Sequence, residues 1–126
     1  VEDLMITKEK IPFINENFNV KKAIEIINLK KLGTVITRDK KNNTTGILVD
    51  GDIKRLIKKF DDIKKLQVKE IIKKDPISVE KDLLAVKALK IMNDKKITSL
   101  CVHSKSKKNK TIGLIHIHNI LDANIQ

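Results

Sequence analysis

The stretch Gly46-Ile47-Leu48-Val49-Asp50-Gly51-Asp52-Ile53-Lys54-Arg55-Leu56 reads as a short apolar strand that turns through Asp-Gly-Asp into a helix. A strand-to-helix turn leaves backbone N–H groups unpaired at the helix start, where an anion or a sugar hydroxyl can dock. A carboxylate such as Asp52 either caps that start or accepts hydrogen bonds from ribose-like hydroxyls. The pattern recurs as Gly113-Leu114-Ile115-His116-Ile117-His118-Asn119-Ile120-Leu121. Two copies of one supersecondary unit are therefore expected.

Working outward from the first turn, Asn19 is the expected N-cap of a helix from Val20 to about Lys31. Val20, Ala23, Ile24 and Ile27 fall at i, i+3, i+4 and i+7, one apolar face. Gly33 is read as the helix C-cap. Thr34 to Thr37 is a β-branched strand, Asp39 to Asn43 a polar turn, and Thr45 to Val49 a second strand. A helix from Ile53 to about Phe60 closes the unit. Ile11-Pro12-Phe13-Ile14 precedes it as an extended piece, because the residue before a proline is pushed out of helical space.

After a polar connector the order repeats. Ala85, Ala88, Leu89 and Met92 carry the same helical face, and Ala88 and Met92 each stand 65 residues after a counterpart, Ala23 and Ile27. Pro76-Ile77-Ser78-Val79 answers the first extended piece, Ser99 to Val102 and Thr111 to Ile115 the strand pair, and Asn119 to Ala123 the last helix. Gly113 follows Gly46 by 67 residues, and the longer loop Ser104 to Lys110 absorbs the drift. Expected boundaries are 1–60 for the first repeat, 61–67 for the connector and 68–126 for the second. Neither half of about 60 residues buries much surface alone, so a shared core is expected.

Composition excludes several classes. The chain has 126 residues, 40% of them hydrophobic and only 2% aromatic. It has no apolar run long enough for a membrane span and no signal-peptide pattern, and Val1 in place of Met points to a fragment. Cys101 is alone, so no disulfide framework exists and a cytoplasmic location is expected. The net charge of +11 invites a nucleic-acid reading. Against it, only Arg38 and Arg55 among the 27 basic residues are arginine, and no Trp or Tyr is present for stacking on bases. Nucleic acid and membrane are not expected partners.

The repeated helix–strand–strand–helix order, with Gly-apolar-apolar-x-x-x-Asp at the turn, resembles the CBS domain, named for cystathionine β-synthase. Two in tandem resemble the Bateman module that senses adenosyl nucleotides and other small ligands. The resemblance implies an α/β (α+β) fold of two β-α-β-β-α repeats with pseudo-two-fold symmetry. Finer motifs are Ile11-Pro12, Leu32-Gly33-Thr34-Val35, Asp50-Gly51-Asp52-Ile53-Lys54-Arg55, Leu84 to Leu89, Lys96-Ile97-Thr98-Ser99 and His116 to Leu121. Together they resemble the C-terminal CBS pair of bacterial arabinose-5-phosphate isomerases, which serve Kdo and lipopolysaccharide synthesis. The implied role is a regulatory fragment of a sugar-phosphate isomerase, not an enzyme by itself, with no cofactor and with CMP-Kdo or another nucleotide as its ligand. The implied partners are its own upstream isomerase domain and a second copy, as a homodimer or higher homo-oligomer. A structural dimerisation module with vestigial clefts is the alternative.

Two departures bear on the ligand. Nucleotide-binding CBS repeats usually carry Thr or Ser three residues before the turn Asp. Here that position is Val49 in the first repeat and His116 in the second, and Asn119 replaces the Asp. The better cleft is therefore expected in the second repeat, lined by Thr98, Ser99, His116, His118 and Asn119, with Asp52 and Arg55 contributed by the first. His116 and His118 lack a third ligand of suitable spacing, so no metal is expected. No nucleophile–base–orienter set is present for a catalytic site.

Overall fold

The computed structural model describes residues 1–58 and 62–123. In chain order it has β1 (Ile6–Thr7), β2 (Phe13–Asn15), α1 (Val20–Lys30), β3 (Thr34–Arg38), β4 (Thr44–Val49) and α2 (Asp50–Ile57). There follow β5 (Lys73–Lys74), β6 (Ser78–Glu80), α3 (Ala85–Lys95), β7 (Ser99–Ser104), β8 (Lys107–His116) and α4 (Ile117–Ala123). Single 3-10 turns occupy Lys8–Lys10, Ile63–Lys65 and Val68–Glu70. The far end of the expected helix at Phe60, and Asp61 of the connector, lie outside the described residues.

Two compact units result, Pro12–Pro76 and Val1–Ile11 with the residues from Ile77 onward. Repeat and unit thus divide the chain differently, because the leading strands are exchanged. β5, which opens the second repeat, is the edge strand of a sheet ordered β2-β3-β4-β5. β1, its counterpart 67 residues earlier, is the edge strand of the sheet β1-β8-β7-β6. In each sheet one edge pair is parallel (β2 with β3, β6 with β7) and the rest are antiparallel.

The exchange places a backbone against each sequence-predicted glycine. Gly46 pairs with Lys74, and a Cβ there would stand 2.7 Å from Ile72 Cδ1 and 2.9 Å from the Lys73 carbonyl oxygen. Gly113 pairs with Thr7, and a Cβ there would meet the Met5 side chain. Each glycine admits the incoming segment by lacking a side chain.

Each unit has its own apolar cluster. In the first, Ile14, Ala23, Ile27, Val35, Leu48, Ile53 and Val68 are buried together. In the second, Val79, Ala88, Met92, Leu100, Val102, Ile115 and Ile120 do the same. The single core expected from the sequence is two clusters among the described residues. The apolar faces of α1 and α3 fall as the periodicity requires, with Val20, Ala23 and Ile27 buried on one and Ala88 and Met92 on the other.

Asn19 caps α1, its side chain accepting from the Lys22 N–H at 3.0 Å. That contact contributes about 1 kcal/mol. Leu84, its counterpart, offers no side-chain cap to α3. The helix C-cap is Lys31, in the left-handed region at φ 58°, not Gly33; Lys96 repeats this at φ 57°. Gly33, two residues on at φ 69°, turns the chain into β3.

Overpacking Gly46 strains a backbone oxygen, whereas Gly113→Ala meets a flexible methionine. Gly46→Ala should lower stability by about 1–3 kcal/mol and Gly113→Ala by less. Chemical denaturation of the two variants checks this order; equal losses would contradict it.

Candidate functional site

In each unit one backbone hydrogen bond sets the strand-to-helix turn. The Asp50 N–H donates to the Gly33 carbonyl at 2.8 Å, and the Ile117 N–H donates to the Thr98 carbonyl at 2.8 Å. The start of one strand is thereby tied to the first residue of the helix that follows its neighbour. The tie uses an N–H that the helix itself leaves unpaired.

At the β8–α4 turn this brings five predicted residues together. Ser99, buried, pairs in register with His116 across the strands. Thr98, exposed, contributes its carbonyl to the tie. The helix begins at Ile117, not at Asn119, so His116 becomes its N-cap and Asn119 its third residue. The His116 N–H donates to Asn119 Oδ1 at 2.8 Å, and the His118 N–H donates to His116 Nδ1 at 3.2 Å. Asn119 reaches back to the N-cap N–H as in one half of a capping box, while the imidazole accepts from the second helical N–H. An accepting Nδ1 fixes the neutral ring with its proton on Nε2. The His116 and His118 rings stack with centroids 4.9 Å apart. Burial, and secondarily the charge of His118, hold the His116 pKa below its ordinary 6.5.

At the β4–α2 turn the chemistry differs. The helix begins at Asp50, so Val49 is the N-cap and offers no side-chain bond. Asp52 does not cap; its carboxylate accepts from the Arg55 guanidinium three residues on. Asp50 pairs with Lys54 at 3.5 Å. Exposed pairs at this spacing contribute only about 0.2–0.5 kcal/mol, so a ligand hydroxyl competes with them readily. Asp52 and Arg55 belong to the unit Pro12–Pro76, and the other five residues to the second unit.

The sequence reading missed one polar pair. Ser78 Oγ and His103 Nδ1 are hydrogen-bonded at 2.6 Å, with His103 buried. The signal was available, because the 65-residue offset maps Ser78 on Phe13 and His103 on Arg38. Arg38 lies over the Phe13 ring at 3.7 Å. Both pairs tie a parallel strand pair diagonally. Cys101 is buried as expected, and burial pushes its thiol up to about 11 despite a hydrogen bond with Thr111. Such a thiol is inert. Among the described residues no cluster of three His, Cys, Asp or Glu is placed to hold a metal. No described helix is long and apolar enough to cross a membrane. A shallow depression lined by Phe18, Asn19, Lys21, Lys22 and Glu25 includes none of the seven predicted residues.

Comparison with known proteins gives the family and the fold. The family model of the CBS domain matches residues 1–59 and again 68–125. Arabinose 5-phosphate isomerase KdsD of Salmonella typhi is 31% identical over 125 residues, which are 99% of this chain and 37% of that protein. The uncharacterized protein RP505 of Rickettsia prowazekii is 32% identical over 125 residues, 99% of this chain and 38% of that protein. The chain spans little more than a third of these relatives' length. CBSX2 of Arabidopsis thaliana has a TM-score of 0.84 at 20% identity, covering 100% of this chain and 94% of that one. CBSX2 in complex with AMP gives 0.83 at 20% identity, covering 99% and 95%. The likeness to CBSX2 is one of fold.

A neutral His116 in the fold gives a pH dependence of definite sign. The unfolded chain takes up the proton first, so this contribution is complete above about pH 6.5 and is lost as the pH falls through the lowered folded value. The wild-type protein should lose stability from pH 7 to pH 5. His116→Asn, which can still cap but does not titrate in this range, should flatten that slope. Denaturation midpoints at both pH values check this; an unchanged slope would refute the role of His116.

Proposed function

Because the chain belongs to the CBS-domain family, as two such domains in one chain, we propose that it is the ligand-sensing regulatory part of a sugar-phosphate isomerase. The relatives named arabinose 5-phosphate isomerase support the attachment. The AMP complex of CBSX2 supports a nucleotide-type ligand. No catalytic step is assigned to the chain itself. The seven candidate residues act as binding groups, and the chemistry belongs to the isomerase domain of the larger protein.

The ligand is a small anion seated at the β8–α4 turn, a nucleotide or nucleotide-sugar. The observation that carries this is the charge around the turn. Between Asp94 and Asp122 the chain has no carboxylate, while Lys95 and Lys96 shortly precede Thr98 and the turn itself carries His116 and His118. The His116 and His118 rings and the Asn119 amide supply donors. Thr98 and Ser99 add hydroxyls at the neighbouring strand start. The β4–α2 turn has the opposite balance, with Asp50 and Asp52 at the helix start and no hydroxyl at Val49. It suits a sugar hydroxyl, through Asp52, better than a phosphate.

CMP-Kdo, an anionic nucleotide-sugar, is the proposed ligand, and the resemblance to arabinose-5-phosphate isomerases motivates it. An end product binding here would feed back on an early enzyme of its own synthesis. Calorimetry with CMP-Kdo, AMP and ATP tests the assignment. CMP-Kdo should bind most tightly, and His116→Ala should weaken it by about 1–3 kcal/mol, the cost of an unsatisfied partner. Tight AMP binding without CMP-Kdo binding, or an unchanged affinity in His116→Ala, would overturn it.

A second reading, a structural dimerisation module with vestigial clefts, is favoured by the internal pairing of the candidate groups. Asp52 is held by Arg55, Asn119 Oδ1 accepts from the His116 N–H, and His116 Nδ1 accepts from the His118 N–H. Self-association is expected on either reading, with two-fold symmetry the default. Light scattering at high concentration should give at least twice the chain mass. Dimer formation with no heat from any of the three nucleotides would favour the second reading, and a monomer would exclude it.

A further inference from the structure

The two strand hairpins differ more than the rest of the repeat. The β3–β4 turn closes on itself, with Asp39 Oδ1 accepting from the N–H groups of Lys41 and Asn43, both at 2.9 Å. The β7–β8 hairpin has no carboxylate. Its register shifts on both sides of His103, which pairs with Thr111 while the next residue, Ser104, pairs with Lys107. Residues Lys108 to Lys110 therefore bulge from the ladder. Lys105, Lys107 and Lys108 are exposed, and none of the ion pairs among the described residues includes them.

This hairpin is separate from the candidate ligand turn. Ser99 faces His116 at one end of the strand pair, and Ser104 faces Lys107 at the other. Five residue steps along β7, about 17 Å, separate the two ends. A small ligand at the turn does not reach these lysines.

We propose that the β7–β8 hairpin is a docking surface for an acidic, extended segment of a partner protein. Lysines 105, 107, 108 and 110 fall within six residues, a compact run of point charges that matches an acidic run of similar length. Nucleic acid fits less well, since the hairpin has no aromatic or arginine side chain to stack on bases. A membrane surface fits less well too, because no large apolar side chain is exposed from His103 to Thr111.

The test uses a fluorescent octaglutamate peptide and the full chain, with anisotropy read at low salt. The variant K105Q/K107Q/K108Q should weaken binding about tenfold, as expected for the loss of three exposed charge pairs. The variant K69Q/K73Q/K74Q, with the same net charge and all three sites exposed, should stay within about twofold of wild type. Equal weakening in both variants would reduce the effect to net charge and overturn the proposal. Tighter binding of a DNA duplex of equal charge than of octaglutamate would overturn it as well. Calorimetry of CMP-Kdo with the hairpin variant separates the sites, and unchanged ligand affinity is the expected result.

Discussion

The close approach of an exchanged strand to a glycine is the constraint on which each unit depends. β5 lies on β4 at Gly46, and β1 lies on β8 at Gly113. Any Cβ at Gly46 would enter the space of Ile72 and of the Lys73 carbonyl. Without these glycines the edge strand would be pushed from the sheet, and the strand that leads to the functional turn would have an open edge. The same backbone that closes the sheet therefore also fixes the strand that delivers Val49 or His116. Position is set by the glycine before any side chain of the turn is chosen.

The turn itself is built from main-chain atoms. The bonds from Asp50 to Gly33 and from Ile117 to Thr98 do not depend on side chains, so both turns keep one geometry with different chemistry. In the first, Asp52 and Arg55 satisfy each other at the surface. In the second, an imidazole cap and an amide satisfy two helix N–H groups. With Asp50 and Asp52 in its first helical turn, the first arrangement disfavours an anion. At the second it meets no carboxylate along the chain from Lys95 to Leu121. The duplicated scaffold thus offers two unlike sites.

Much of the fold was legible, and the reasons are local. The i, i+3, i+4 spacing located α1 and α3, because burial of one face decides helix register. The 65-residue offset located the second set of strands, since the repeat preserves which residues face the core. The helix starts were displaced for a physical reason. Asp52 and Asn119 are good capping residues, yet the tie to Gly33 or Thr98 begins each helix two to three residues earlier. Tertiary hydrogen bonding overrode the local capping preference. The strand exchange was not legible, because β1 and β5 are two residues long and their pairing partners are distant in sequence. Gly33 was misassigned because lysine can also occupy the left-handed region, as Lys31 and Lys96 both do.

The diagonal pairs show what the repeat conserves within this chain. Phe13 with Arg38 and Ser78 with His103 occupy equivalent positions, yet one is a cation over a ring and the other a hydroxyl–imidazole bond. An offset that maps positions is silent on whether the two partners form a contact. Candidate residues chosen by chemical type alone therefore passed over His103, although two other histidines were selected. Reading the repeat as a map of paired positions, with the chemistry free to change, recovers it. The same rule explains why Val49 and His116, which share a position, have opposite capacities for binding an anion.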